Sequence, residues 1–202
     1  MQTTSNEIRY NDMNLWLIDD RLAYHYYLAS DKKMNTLEPI DVDDKRRMDL
    51  AIFDAACSYT TNRDQISSIT IVEFKRPMRN DTYSDDNDPV WQVMKYVKAI
   101  KDGKVKKDNG RDFGDMSHVS FYCYVIGDLT ETMRESAERS DLILTQDKQG
   151  YFGYSKTYGA YVEVISYDKL LKDARQRNQV LFDKLFVPKS DDIFHPELLS
   201  SD

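Results

Sequence analysis

The chain of 202 residues is poor in the residue types that mark a cofactor or zinc centre. Its two cysteines, Cys57 and Cys123, stand in apolar surroundings and far from a Cys-x-x-Cys spacing, so both are expected as reduced core thiols and zinc is not expected. The three histidines, His25, His118 and His195, share no ligand spacing and read as surface or core side chains. Seven glycines and no Gly-x-x-x-x-Gly-Lys exclude a phosphate-binding loop of that type. No apolar run approaches the roughly 20 residues that cross a bilayer, and the N-terminus lacks a basic-then-apolar leader pattern. No membrane partner is expected, and a cytoplasmic location is. Bases are also in deficit, 28 against 35 acids for a net charge of −7. That balance argues against tight nonspecific binding to a polyanion, which draws its affinity from many Lys and Arg contacts to phosphate.

What is present is ordinary for a globular protein: 41% hydrophobic and 31% charged residues, enough for one substantial core. One domain over residues 1–202 is expected, with polar, flexible ends at 1–13 and 189–202. Fourteen tyrosines and eight phenylalanines supply core and, in places, stacking surfaces.

The stretch from Met48 to Tyr96 carries the chemistry. An aspartate interrupts a short apolar run (Met48-Asp49-Leu50-Ala51-Ile52-Phe53), and a second run ends in Glu73-Phe74-Lys75. On a strand, side chains alternate, so Glu73 and Lys75 share one face while Val72 and Phe74 take the other. Phosphodiester cleavage needs a hard divalent cation with oxygen ligands and an oriented attacking water. Asp49 and Glu73 are the candidate metal ligands, for Mg²⁺ or Mn²⁺, and Lys75 is the candidate for positioning the water and steadying phosphorane charge. Taken singly, a Glu-x-Lys pair on a strand is most often a solvated face with a weak ion pair worth about 0–1 kcal/mol, and an aspartate at the start of a strand is common. Gln92 and Tyr96, four apart, share one helix face that can look back at the site; equally, Tyr96 can be core and Gln92 helix surface.

Asp49, then Glu73-Phe74-Lys75 at a spacing of 24 residues, then Gln92-Val93-Met94-Lys95-Tyr96 resembles the PD-(D/E)XK nuclease superfamily. Met48 stands where that motif has proline. The resemblance implies a restriction-endonuclease-like α/β fold: a three-layer α/β/α sandwich with a mixed central β-sheet. It implies metal binding by Asp49 and Glu73, a catalytic Lys75, a supporting Gln92 and Tyr96, and hydrolysis of nucleic acid, DNA rather than RNA. A rival reading is a nuclease-fold module without turnover, serving in nucleic-acid binding or assembly. Candidate nucleic-acid contacts are Arg76, Arg79, Lys95, Tyr96 and Lys98, the lysines opening a run of seven bases against two acids between Lys95 and Arg111. The outer segments, Leu15 to Asp31 and Tyr161 to Asn178, also resemble a nuclease-like module at the C-terminal end of large bacterial proteins that carry a histidine-kinase/Hsp90-type ATPase region. That resemblance implies an ATPase domain as partner; homodimerisation is the other association expected of such nucleases.

Along the rest of the chain, three-to-four spacing of Leu15, Ile18 and Leu22 predicts a helix to about Leu28, with Asp19 or Asp20 as an extra acid or a surface ion pair. Asp31 to Arg47 reads as an irregular connector, and Asp54 to Gln65 as a polar turn. Asp88-Pro89 predicts a capped helix to about Lys101, closed by Gly103. Val119–Ile126 is a central strand, and Asp128 with Glu131 reads as a capping box for a helix to about Ser140. Leu142–Thr145, Tyr151–Tyr154 and Ala160–Ile165 read as short strands. Asp168 begins a helix with Leu171, Ala174, Asn178, Leu181 and Leu185 along one stripe and Arg175 and Arg177 exposed.

Overall fold

The computed structural model describes residues 2–3, 17–19, 22, 25, 27–37, 40–55, 66–80, 88–105 and 119–186. In chain order the elements are β1 (Gln2–Thr3), β2 (Tyr27–Lys33), β3 (Ile40–Asp41), β4 (Arg47–Ala55), β5 (Ile66–Phe74), α1 (Pro89–Asp102), β6 (Lys104–Val105), β7 (Ser120–Ile126), α2 (Glu131–Arg139), β8 (Ile143–Leu144), β9 (Gly150–Ser155), β10 (Ala160–Ile165) and α3 (Tyr167–Phe186). Eight strands form one sheet in the order β1-β2-β4-β5-β7-β10-β9-β8, and β3 pairs with β6 apart from it. The β5–β7 and β7–β10 pairs are parallel and the remaining pairs of the large sheet antiparallel, so the sheet is mixed.

Alternation along the strands divides the core in two. Ala51, Phe53, Ile69, Ile71, Cys123 and Val125 pack with Val93, Val97 and Ile100 of α1 and Met133 and Ala137 of α2. Leu50, Ile52, Val72, Ile126 and Ile165 pack on the opposite face with Leu22 and with Leu170 of α3. Each such aliphatic side chain contributes about 1.5–3 kcal/mol when fully buried, and an α/β fold with helices on both faces of its sheet is the result. No helix among the described residues is long and apolar enough to cross a membrane.

The helix α1 starts as its sequence requires. Asp88 caps it, accepting the Trp91 N–H at 2.9 Å, Pro89 occupies the first turn where no donor is needed, and Gly103 follows its end. The same aspartate accepts from Ser136 Oγ at 2.6 Å and Arg139 at 2.9 Å, which ties α1 to α2.

Several expectations are corrected. Tyr27 and Leu28 lie in β2, not in a helix, because they pair across to Phe53 and Ile52, and the Tyr27 and Phe53 rings meet edge to face at 5.7 Å. The segment expected as a connector holds the rest of β2, a single 3-10 turn (Met34–Thr36) and β3, with Met34 and Leu37 buried. Thr130, not Asp128, is the N-cap residue of α2, because the Asp128 carboxylate is taken by the Met78 N–H at 2.6 Å. Asp54 is a strand residue of β4. Among the described side chains of α3 the buried positions are Leu170 and Ala174, while Leu171 is exposed; those of Asn178, Leu181 and Leu185 lie outside the described ones, and Arg177 is half-buried and donates to the Leu17 carbonyl at 2.9 Å. Gln2 and Thr3, within the expected flexible start, pair with Ala29 and Leu28. Asp20, Cys57, Lys106, Lys107, Arg111, His118, His195 and the expected tail 189–202 lie outside the described residues.

Candidate active site

The site forms where β5 leaves β4. Regular pairing ends at Leu50 with Val72. One step further the Phe74 N–H donates to Asp49 Oδ2 at 2.7 Å, and the Lys75 N–H turns to the Ile126 carbonyl of β7 at 2.8 Å. An aspartate at this point in β4 therefore replaces a ladder acceptor and is held by the Phe74 backbone.

Glu73 and Lys75 emerge on the α1 side. Lys75 Nζ donates to Glu73 Oε1 and to Gln92 Oε1, both at 2.8 Å. Gln92 Nε2 donates to Glu73 Oε1 at 2.9 Å and to the Tyr96 hydroxyl at 2.6 Å, and that hydroxyl donates to the Arg47 carbonyl at 2.5 Å. The network thus runs from β5 through one face of α1 and back to β4 beside Asp49. The helix spacing makes this possible, since residues four apart stack on one face. Arg46 lies over the Tyr96 ring at 5.3 Å and pairs with Asp44, which holds the Asp44 carboxyl below the usual carboxylate range.

Burial sets the electrostatics. Glu73 is 5% exposed and Lys75 6%. Removal from water pushes the Glu73 carboxyl up; Lys75 and Gln92 pull it back, and the Asp49 charge pushes it up again. Burial likewise pushes the Tyr96 hydroxyl up to about 12, so it stays protonated and donates. Glu73 Oε2 is buried with no hydrogen-bond partner among the described residues. An orphaned oxygen of this kind costs about 1–3 kcal/mol, more when charged, and a cation beside it would remove that cost. Among the described residues no group of three or more His, Cys, Asp or Glu is placed to hold a metal. Mg²⁺ is commonly held by one or two carboxylates with waters and substrate oxygens, and Asp49 with the unpaired Glu73 oxygen fits that demand.

Asp49 and Lys75 line an open cleft of about 530 Å³ together with Asp31, Phe74, Arg76 and Tyr167. Glu73 is buried and does not line it. Of the five expected nucleic-acid contacts, Arg76 alone lines this cleft. Arg79 is half-buried, its carbonyl accepting from Thr130 Oγ1 at 2.8 Å. Lys95 lies 5.9 Å from the Trp91 ring centroid, and Lys98 is exposed on α1. Tyr96, expected at the nucleic-acid surface, is 1% exposed and serves inside the network instead. Asp19 lies elsewhere, on the opposite sheet face, where its carboxylate accepts from the Tyr124 hydroxyl at 3.3 Å.

Two residues of the site carry no signal in the sequence. Tyr167, at the start of α3, donates to the Lys75 carbonyl at 2.7 Å from 92 residues away. Gly127 passes so near Lys75 that a Cβ on it would meet the Lys75 Cβ at 3.0 Å. The sequence matches no protein-family model and no curated protein.

Proposed function

We propose that the chain is a Mg²⁺- or Mn²⁺-dependent nuclease with a restriction-endonuclease-like fold, hydrolysing phosphodiester bonds in nucleic acid, DNA rather than RNA. The observation that carries this reading is the convergence of Asp49, Glu73, Lys75 and Gln92 at one strand end, with one buried Glu73 oxygen that has no donor among the described residues. The metal, held by Asp49 and Glu73, would supply Lewis-acid stabilisation of phosphate charge. The Phe74 N–H fixes the Asp49 carboxylate, Gln92 fixes both Glu73 and Lys75, and Lys75 offers an ammonium to the attacking water and to charge developing on phosphate. Within this reading the chain works in the cytoplasm, as a homodimer or as a module joined to an ATPase domain. Incubation with Mg²⁺ or Mn²⁺ and labelled DNA or RNA tests it: cleavage is expected, and cleavage that survives both Lys75→Ala and Asp49→Ala would refute the site.

A second reading is favoured by the same pair's burial. Glu73 and Lys75 neutralise each other almost out of contact with solvent, as they would in a nuclease-fold module that binds or assembles without turnover. Metal titration separates the two. Binding abolished by Glu73→Gln favours the enzyme; no binding at millimolar metal favours the module.

A further inference from the structure

Phe74 stands between the acid and the amine of the motif, yet the residue is 42% exposed, its side chain on the opposite side of the strand from Glu73 and Lys75. A phenylalanine at a strand end gains nothing from water, and this one shares a cleft with Asp49, Lys75 and Arg76. The next turn shows more apolar surface: Met78 is 77% exposed at φ 56, a conformation costly for a side chain with a Cβ. That turn is fastened from below, by Asp128 to the Met78 N–H at 2.6 Å and by Thr130 to the Arg79 carbonyl at 2.8 Å.

From these placements we infer that the substrate presents unpaired nucleotides at the site, with one base stacked on the Phe74 ring; the inference rests on the nuclease reading. A phosphate at Asp49 and Lys75 and a base on Phe74 belong to neighbouring parts of one nucleotide, and Arg76 meets the adjoining phosphate. Bases within a duplex offer only their edges, because both faces are covered by neighbours, so a ring set in a cleft reaches a base face only where the strand is unstacked. Charge points the same way. A net −7 repels the long, doubly charged rail of a duplex, whereas a short single strand held by stacking and one or two cations demands far less basic surface.

The test uses the full chain in EDTA, where hydrolysis is absent, with short fluorescent oligonucleotides as a single strand and as a blunt duplex. The single strand is expected to bind about tenfold more tightly than the duplex, and Phe74→Ala to lose about tenfold of that affinity. Phe74→Trp should keep it and report binding by quenched indole emission. Equal affinity for both forms, no binding to either, or a Phe74→Ala chain that binds like the unaltered one would overturn the inference. Single-strand binding that depends on Phe74 without any Mg²⁺ cleavage would leave the stacking platform standing and remove the hydrolase. Cleavage of both forms, indifferent to Phe74→Ala, would do the reverse.

Discussion

Lys75 and Glu73, two residues apart at the end of β5, hold each other at 2.8 Å with both side chains almost wholly withdrawn from water. Removing one partner of such a pair leaves the other charge buried, at a cost of about 3–5 kcal/mol, while removing both together often costs little. Lys75→Met is therefore expected to lose stability in that range and the Lys75→Met/Glu73→Gln double variant to regain most of it. Urea unfolding at constant slope measures the cycle.

Glu73 also sets a pH dependence. Its carboxyl is raised in the folded chain, chiefly by burial, so the folded state holds a proton where the unfolded state, near about 4.3, has already lost it. The resulting stabilisation is fully present below the unfolded value and is lost as pH rises through the folded one. In EDTA, the stability of the native chain relative to Glu73→Gln should fall over that window. Metal affinity should move oppositely, weakening as acid protonates Glu73, which calorimetric titration across the window would detect.

His25 titrates with the opposite sign. Burial lowers its pKa, outweighing the backbone at Leu22 and the charge of Asp54. The unfolded chain thus takes up a proton near its ordinary value of about 6.5 before the folded chain does. Stability is present above that value and lost as pH falls below it, and the stability difference between the native chain and His25→Gln should shrink accordingly in urea titrations.

Cys123 lies wholly inside the sheet, and burial pushes its thiol up to about 12. In a Cys57→Ser chain it is the single thiol, and alkylation near neutral pH should be negligible until urea opens the fold. Rapid labelling of the folded chain would place this strand at an accessible surface.

Asp88 serves two helices. Asp88→Ala removes the α1 cap, worth about 1 kcal/mol, and strands the buried Ser136 hydroxyl at about 1–3 kcal/mol more. A loss of at least about 2 kcal/mol in urea unfolding is expected; a smaller one would mean that water replaces the carboxylate.

The features legible in the sequence are those governed by neighbours a few residues apart. Asp88, Pro89 and Gly103 bound α1 by local chemistry, β10 follows its own alternation, and the i, i+2 and i, i+4 spacings of Glu73-Lys75 and Gln92-Tyr96 place four side chains in one network. Non-local pairing was hidden. Tyr27 and Leu28 are strand residues only because β4 lies beside them, and Asp128 abandons a local cap for a backbone donor 50 residues away. Tyr167 reaches the Lys75 carbonyl across an even longer separation.

Gly127 gives the motif a silent neighbour. Because a methyl there would press on the stem of Lys75 at 3.0 Å and on Met133 at 3.2 Å, the ammonium can be tilted from behind, by Gly127→Ala, with every charged and polar group of the cleft left chemically intact. A dial of that kind separates the aim of the lysine from its presence.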